Sequence, residues 1–177
     1  AVAAGPGSFT GLRIGISTAK GLAWPADKPA CGVSTLEAMA WNAAHMDGII
    51  CCAMDARRKQ VYQAFFSAEG GRLTRLTPDR AISLEDLFAE IKNMGKMPLL
   101  VGDGADLCYN YALEQGAAIR LAPENLRWQT AYGVAMAARE KAEQGECTSA
   151  AALTAQYLRL SQAERERLAR RREDKTC

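Results

Sequence analysis

The chain has 177 residues, of which 49% are apolar and 24% are charged, a balance typical of a globular domain with a single core. This composition excludes a disordered, collagen-like or coiled-coil chain. The 22 basic and 20 acidic residues leave a net charge of +2, so the overall charge does not predict nucleic-acid binding. Such binding would need a local basic patch.

The cysteines and the apolar runs predict a soluble protein of a reducing compartment. The six cysteines occur singly or as the adjacent pair Cys51-Cys52, which is not the pattern of a disulfide framework, so a cytoplasmic location is expected. No apolar run approaches the roughly 20 residues that a bilayer crossing requires, and no membrane partner is predicted. The chain opens at Ala1 and leads straight into a glycine turn. This opening predicts that an N-terminal segment is absent.

Strand-like and helix-like segments alternate along most of the chain, which predicts an α/β fold. In chain order, the predicted elements are a strand ending at residue 4, a helix over 9–23, a strand over 28–33, a helix from 35 to about 44, a strand over 48–54, a hairpin over 60–76, a helix from 84 to about 94, a strand over 97–101, a helix after residue 104 that ends near 116, a strand over 117–121, a helix from 130 to about 144, and a frayed polar helix from 161 onward.

Local signals support these boundaries. Ser8 and Ser34 are placed to cap helices, with Glu37 positioned to complete a capping box from Ser34. Gly70-Gly71 is typical of a hairpin turn. The apolar run 48–54 predicts a central strand that is covered on both faces of the sheet.

The glycine turn at residues 5–11 lies between a predicted strand and a predicted helix, where amide groups and the helix dipole could hold a phosphate. Gly5, Gly7 and Ser8 are therefore candidate ligand-binding residues. The turn matches neither the P-loop, because Leu12 replaces the lysine, nor the dinucleotide pattern, because Thr10 replaces a glycine. A tight turn with an N-cap is the alternative.

Small residues recur every four positions on the first helix, at Gly11, Gly15 and Ala19. Glycine inside a helix is unfavourable by about 1 kcal/mol relative to alanine, so a compensating close contact is expected. We therefore predict that another helix packs on this face.

Two carboxylates, Asp55 and Asp103, directly follow buried strands, at the strand ends where open α/β sheets bind ligands. Both are candidate ligand-binding residues. The alternative is a turn role, with Arg57 or Arg58 pairing with Asp55.

Metal and catalytic sites are not predicted. The chain has one histidine, His45, which lies after a predicted helix and is expected near the helix end or at the surface. Cys51 and Cys52 point to opposite faces of their strand, so they cannot bind the same ion. Both are predicted to be core residues.

Four ordered motifs together resemble the bacterial TsaB family of tRNA threonylcarbamoyladenosine biosynthesis proteins, also called YeaZ. They are Gly5-Pro6-Gly7-Ser8-Phe9-Thr10-Gly11-Leu12-Arg13-Ile14-Gly15, Gly32-Val33-Ser34-Thr35-Leu36, Met54-Asp55-Ala56-Arg57 leading to Val61-Tyr62, and Tyr157-Leu158-Arg159. Members of that family open with an earlier strand meander and a helix, in agreement with the predicted truncation.

The resemblance implies an α/β fold of the actin, Hsp70 and sugar-kinase type (ribonuclease H-like), truncated at its N-terminus. Residues 1–34 would be the remainder of the N-terminal half with its partner-binding helix, residues 35–160 the C-terminal α/β half, and residues 161–177 a polar tail.

The implied function is that of a non-catalytic scaffold subunit. It would activate a TsaD-like catalytic subunit, together with a TsaE-like ATPase, to add threonylcarbamoyl to adenosine 37 of tRNAs that read ANN codons. The chain would form a homodimer in isolation, would contact tRNA only through the complex, and would need no cofactor, with ATP and metal on the partner subunits. The implied partner-binding residues are Phe9, Gly11, Leu12, Gly15, Ile16 and Ala19.

Two other interpretations remain open. The fold group includes ATP-using kinases and the family was once described as a glycoprotease, so an ATP-using or metallopeptidase-like enzyme is the alternative. A third interpretation is a tRNA-binding arm in the C-terminal tail, whose positive charge is diluted by neighbouring acidic residues. Its basic residues are Arg165, Arg167, Arg170, Arg171 and Arg172.

Overall fold

The computed structural model describes residues 1–159, and it confirms the predicted α/β fold. The predicted terminal helix, the polar tail and its arginine-rich arm lie outside the described residues. The strands are β1 (Val2–Gly5), β2 (Pro29–Ala30), β3 (Gly32–Ser34), β4 (Gly48–Asp55), β5 (Gln60–Glu69), β6 (Arg72–Arg75), β7 (Arg80–Ser83), β8 (Leu99–Val101), β9 (Arg120–Leu121) and β10 (Thr148–Ser149). The helices are α1 (Phe9–Ala23), α2 (Thr35–Asn42), α3 (Leu84–Asn93), α4 (Ala105–Glu114), α5 (Glu124–Arg127) and α6 (Ala131–Glu143).

The main sheet has six strands, with β4 at its centre. Strand β4 pairs antiparallel with β5 and parallel with β8, which in turn pairs parallel with β9. Strands β6 and β7 pair with opposite ends of β5, along the same edge. The predicted central position of β4 is confirmed, because a strand with neighbours on both sides and helices on both faces is apolar throughout.

Two layers of helix cover this sheet. Helix α2 buries seven of its eight residues and packs on one face, where Met39 and Cys52 share a cluster. Helices α3 and α4 cover the other face, where Cys51 packs with Phe88 and Cys108. The alternation of Cys51 and Cys52 between the two faces agrees with the prediction.

A second set of strands lies beside α1. Strand β1 pairs parallel with β3, and β2 pairs antiparallel with β10, which comes from the C-terminal part of the chain. The predicted single strand over 28–33 is therefore wrong. It is divided at Cys31, because its two halves bind different partners.

Most other predicted elements are confirmed, some with shorter bounds. Helix α1 has the predicted limits, and the hairpin turns at Gly70-Gly71 between β5 and β6. Ser34 caps α2 by accepting from the Glu37 amide, but the Glu37 carboxylate binds Arg75 instead of closing the capping box. The short elements β7, α5 and β10 were not predicted. None of the described helices is long and apolar enough to span a bilayer.

Candidate functional site

The predicted ligand-binding residues meet in a polar cleft of about 380 Å³ at the carboxyl ends of β4 and β8, beside the N-terminus of α1. It is lined by Gly7, Ser8, Phe9, Met54, Asp55, Ala56, Arg57, Tyr62, Asp103 and Arg159. Four of the five candidates, Gly7, Ser8, Asp55 and Asp103, are in this lining, and the fifth, Gly5, is buried behind it.

Gly5 is required by a close backbone contact. Its φ is +134°, and a Cβ built on it would lie 2.2 Å from the carbonyl oxygen of Gln156. The Gln156 amide donates to the Ala4 carbonyl at 2.7 Å, so the C-terminal segment is joined to the end of β1. This contact brings residues 157–159 to the cleft.

Ser8 begins α1 as predicted. Its hydroxyl accepts from the Gly11 amide at 3.4 Å, which satisfies one of the amides that a helix start leaves free. Gly7, Ser8 and Phe9 line the cleft, so the positive end of the α1 dipole faces it.

Asp55 has the turn role that the sequence allowed. Its Oδ1 accepts from the Arg57 amide at 2.6 Å, two residues further on. The predicted side-chain pair with Arg57 or Arg58 is not formed among the described residues, where the contact to Asp55 comes from the Arg57 backbone.

Asp103 reaches the cleft because two glycines let its turn press against β4. Gly102 has a φ of +111°, and a Cβ on it would lie 2.1 Å from the Ala53 carbonyl oxygen. A Cβ on Gly104 would lie 2.9 Å from the Asp55 amide nitrogen. Burial, and then the negative charge of Asp55, raise the pKa of Asp103.

Aromatic and basic side chains form a wall of the same cleft, to which Phe9, Tyr62 and Arg159 contribute. Arg159 donates to the Ala56 carbonyl at 2.6 Å, and its guanidinium lies 5.7 Å from the centre of the Tyr62 ring. The Phe9 and Tyr157 rings stack with centroids 4.5 Å apart and an interplanar angle of 11°. Phe9, Tyr62 and Arg159 line a smaller adjoining cavity as well, and Tyr157 joins them there. Sequence patterning did not predict this wall, because its members are separated by up to 150 positions.

Arg13 extends the wall along α1. Its Nε donates to the Tyr157 hydroxyl at 3.1 Å, and its guanidinium lies 5.9 Å from the centres of both the Phe9 and Tyr157 rings. The sequence indicated only a polar stripe on α1 that included Arg13.

The other side of α1 borders an apolar groove of about 510 Å³ between the helix and the strands β1 and β2. No helix of residues 1–159 packs on the small-residue stripe, so the predicted helix contact is left to a partner chain: the nearest atom to a Cβ on Gly15 is Val2 Cγ2, at 3.4 Å, and Gly11 meets only Ser8. Gly15 and Ala19 line the groove, whereas Gly11 is exposed at the helix surface.

The predicted partner-binding residues divide into buried and accessible ones. Leu12 and Ile16 are buried within the chain, and Phe9 is half-buried under Tyr157. The accessible apolar side chains near this stripe are Ile14, Leu22 and Trp24, with 63%, 76% and 64% of their surface exposed. These three were not predicted as partner-binding residues, although the eight-residue spacing of Ile14 and Leu22 places both toward one side of α1, and Trp24 follows its last residue.

The cysteines of β4 and the histidine lie where the sequence predicted them, the cysteines in the core and His45 at the surface. Burial raises the pKa of the Cys51 and Cys52 thiols, and raises that of Cys108 to about 12. His45 is exposed, three residues beyond the end of α2. Among residues 1–159, no group of three or more His, Cys, Asp or Glu side chains is placed to hold a metal ion.

Known proteins that are similar to this chain take part in tRNA threonylcarbamoyladenosine biosynthesis. The family model described as "TsaD: tRNA N6-adenosine threonylcarbamoyltransferase" matches residues 1–166. The tRNA threonylcarbamoyladenosine biosynthesis protein TsaB of Bacillus subtilis (strain 168) is 42% identical over 106 residues, which are 60% of this chain and 46% of that protein. The TsaB protein of Escherichia coli (strain K12) is 34% identical over 119 residues, 66% of this chain and 52% of that protein. The chain spans about half the length of the curated relatives that it matches.

Solved structures show the same fold. A crystal structure of an uncharacterized protein with similarity to peptidase YEAZ from Pseudomonas aeruginosa has a TM-score of 0.72 at 23% identity, over 89% of this chain and 71% of that one. The structure of YeaZ from Pseudomonas aeruginosa has a TM-score of 0.67 at 22% identity, over 88% of this chain and 72% of that one.

The class of protein is thus an α/β domain with the fold of the YeaZ structures. Its cleft lies where parallel strands end, between β4, β8 and the start of α1. The family model that matches residues 1–166 is named for TsaD, and the relatives that the chain matches are named TsaB or YeaZ. The chain thus belongs to the TsaB/YeaZ family.

Proposed function

We propose that this protein is a non-catalytic subunit of the complex that adds threonylcarbamoyl to adenosine 37 of tRNAs that read ANN codons. In this role it binds and activates a TsaD-like catalytic subunit. The relatives in Bacillus subtilis and Escherichia coli are tRNA threonylcarbamoyladenosine biosynthesis proteins, which supports the reaction to which the subunit contributes.

The exposed apolar face of α1 is the observation that carries the proposal. Ile14 and Leu22 lie on the water-facing side of the helix, and Trp24 follows directly after its end. Apolar side chains grouped in this way on a surface are characteristic of protein-binding sites. The groove beside them, lined by Gly15, Ala19 and Leu22, continues the apolar surface toward β1 and β2.

The six residues predicted to bind the partner do not all have the same role in this proposal. Gly15 and Ala19 would contact the partner through the groove and Gly11 at the exposed surface, whereas Leu12 and Ile16 support the helix from inside. Phe9 holds Tyr157 at the cleft. In isolation, the same face of α1 would pair two copies of the chain.

The rest of the assembly is part of the same proposal. A TsaE-like ATPase joins the complex, and ATP and metal are held by the partner subunits, so that the chain itself takes no cofactor. Residues 1–34 supply the partner-binding helix and residues 35–160 the supporting α/β half, followed by the tail 161–177.

Leu22→Lys tests the proposal in the complete protein that contains this chain. The side chain is 76% exposed, so the substitution leaves the fold intact but introduces a charge into the apolar face. We expect capture of the purified TsaD-like subunit to weaken at least about tenfold, which is roughly 1.4 kcal/mol, and t6A formation on tRNA to fall with it. Leu113→Lys is the control, since Leu113 is an exposed leucine on α4.

Three results would contradict the proposal. They are equal capture by both variants, t6A formation by the TsaD-like subunit without this protein, and consumption of ATP by this protein alone. The last result would favour the enzyme interpretation and direct attention to Asp55 and Asp103.

A further inference from the structure

The turn between β4 and β5 holds three consecutive cations in an unfavourable backbone conformation. Arg57, Arg58 and Lys59 have φ values of +62°, +57° and +56°, and all three are exposed. Residues with a Cβ rarely adopt this left-handed region, and a run of three is rarer still. Glycine or asparagine would satisfy the turn better, so the choice of arginine and lysine needs another reason.

The backbone of this turn is held tightly, which accounts for how the conformation persists. The Arg57 amide donates a hydrogen bond to the Asp55 carboxylate. The Ala56 amide donates to the Gln60 carbonyl at 3.0 Å, and the Gln60 amide donates to the Arg57 carbonyl at 3.2 Å. Arg159 adds a bond from outside, to the Ala56 carbonyl.

The side chains of the turn, by contrast, form no bonds to other side chains of the described residues. Within the part of the chain that the structure describes, no side-chain hydrogen bond or ion pair involves the charged groups of Arg57, Arg58 or Lys59. Other arginines do have acidic partners: Arg75 binds Glu37 and Asp79, and Arg127 binds Asp106. The turn thus presents three adjacent positive charges to an outside partner.

The surroundings indicate the chemistry of that partner. The turn borders the cleft whose wall carries Arg159 on Tyr62 and the stacked pair Phe9 and Tyr157. Tyr157 is 41% exposed, whereas Phe9 and Tyr62 are half-buried. Cations near a partly exposed aromatic ring suit a single-stranded nucleic acid, because phosphates bind the cations and an unstacked base stacks on the ring. An acidic protein surface would use the cations but would have no need for the rings.

The acidic groups of the cleft do not cancel this charge. The cleft is lined by two carboxylates, Asp55 and Asp103, and by two cations, Arg57 and Arg159. The exposed Arg58 and Lys59 lie on the turn beside the cleft and leave the turn with a net positive charge. Asp55 is already engaged by the Arg57 amide.

We propose that the turn Arg57–Lys59, with the adjoining aromatic wall, is a direct RNA contact of this protein. The inference rests on the proposed function, which makes the RNA a tRNA. It goes beyond that function because it assigns RNA contact to this chain itself rather than to its partners alone.

The test uses the complete protein in complex with the TsaD-like subunit, and an unmodified tRNA that reads an ANN codon. Binding is measured by filter retention at several KCl concentrations, for the wild type and for Arg57→Gln/Arg58→Gln/Lys59→Gln. We expect the triple variant to bind at least about tenfold more weakly near 0.1 M KCl, with a salt slope less steep by about 2. The matched control is Arg72→Gln/Lys92→Gln/Lys96→Gln, which removes three exposed cations that lie outside the turn between β4 and β5 and should leave affinity and slope unchanged.

A single substitution separates RNA contact from a structural role. Asparagine tolerates the left-handed conformation better than arginine does, so Arg58→Asn should raise the melting temperature while weakening tRNA binding about threefold. A purely structural role for the turn predicts that stability and binding change in the same direction.

The outcomes also separate this inference from the proposed function. An unchanged affinity and slope in the triple variant overturns the RNA contact, even if the complex still forms t6A. Loss of capture by the TsaD-like subunit with tRNA affinity unchanged identifies the turn as a protein contact and also overturns it. Loss of tRNA binding with subunit capture unchanged supports it. If the wild type fails to bind the subunit, the same measurements on the protein alone decide the RNA contact, while the proposed function fails.

Discussion

Gly133 lies where α6 crosses α2, and a Cβ built on it would be 1.9 Å from the Ala38 carbonyl oxygen. The spacing of the sequence had instead directed attention to Gly11 and Gly15, whose added Cβ atoms would meet nothing closer than 3.4 Å. Close approach depends on which helices meet in the folded chain. A helical repeat of small residues identifies a face of the helix but not what packs on it.

Gly133→Ala is therefore expected to lower the free energy of unfolding by about 1–3 kcal/mol, because α6 must move away from the α2 backbone. Gly21→Ala is the control on α1, where a Cβ meets nothing within 4 Å. It should raise the free energy of unfolding by about 0.5–1 kcal/mol through the better helix propensity of alanine. Urea unfolding of the complete protein measures both, and effects of the same sign would contradict the assigned α2 and α6 contact.

Among the elements, the short strands beside α1 have pairing partners that the sequence could not predict. The predicted strand over 28–33 divides because β2 takes β10 as its partner and β3 takes β1. The partner β10 is more than a hundred positions away, and two residues are too few for a strand pattern to be recognised. Hairpin β5–β6 was predicted because its partners are adjacent and its turn has a distinctive glycine pair.

Oxidation of the protein tests the β2–β10 register. Ala30 is opposite Thr148, so Cys31 and Cys147 are the next opposing residues. Burial raises the pKa of the Cys31 thiol, and the nearby Cys147 thiol raises it further. Opposing Cβ atoms in a strand pair are about 4.5–5.5 Å apart, within a small shift of disulfide geometry. We expect diamide, which takes up the two thiol hydrogens, to join Cys31 to Cys147.

Peptide mapping by mass spectrometry identifies the linked pair. Cys147→Ser should abolish the link, and the fully buried Cys51, Cys52 and Cys108 should remain reduced in the folded protein. A link that involves one of those three, or no link, would show that the assigned register is wrong.

In the whole molecule, α2 connects the two sets of strands. Met39 and Leu36 pack on the six-stranded sheet, while Trp41 and Ala38 on the opposite side pack toward β3 and α6. Because almost every side chain of α2 is buried, neither set of strands keeps its core without it. The described part of the chain is therefore expected to unfold as one unit.

Met39→Ala is expected to lower the free energy of unfolding by about 2–5 kcal/mol, because Met39 is fully buried. Far-ultraviolet circular dichroism and tryptophan fluorescence should give one coincident transition, since Trp41 on α2 and the two other tryptophans, Trp24 and Trp128, would lose their folded surroundings together. Met97→Ala, at a position that is 47% exposed, should change stability by less than about 0.5 kcal/mol. Two separate transitions would contradict the connecting role of α2.

Local signals in the sequence were enough to predict the α/β class, the limits of α1, the serine caps and the central strand β4, and to identify the family motifs. These follow from local signals, because hydrophobic period, capping residues and glycine pairs act within a few positions. The sequence also placed Asp55 and Asp103 at strand ends, from which their meeting in one cleft follows. The folded structure was needed to show that Tyr157 and Arg159 lie beside that cleft. It was also needed to show that β2 and β3 pair with different strands. On α1, it showed that Leu12 and Ile16 are buried, whereas Ile14 and Leu22 are exposed. Each of these depends on contacts between distant segments, and the free energy of such contacts is not encoded in any local pattern.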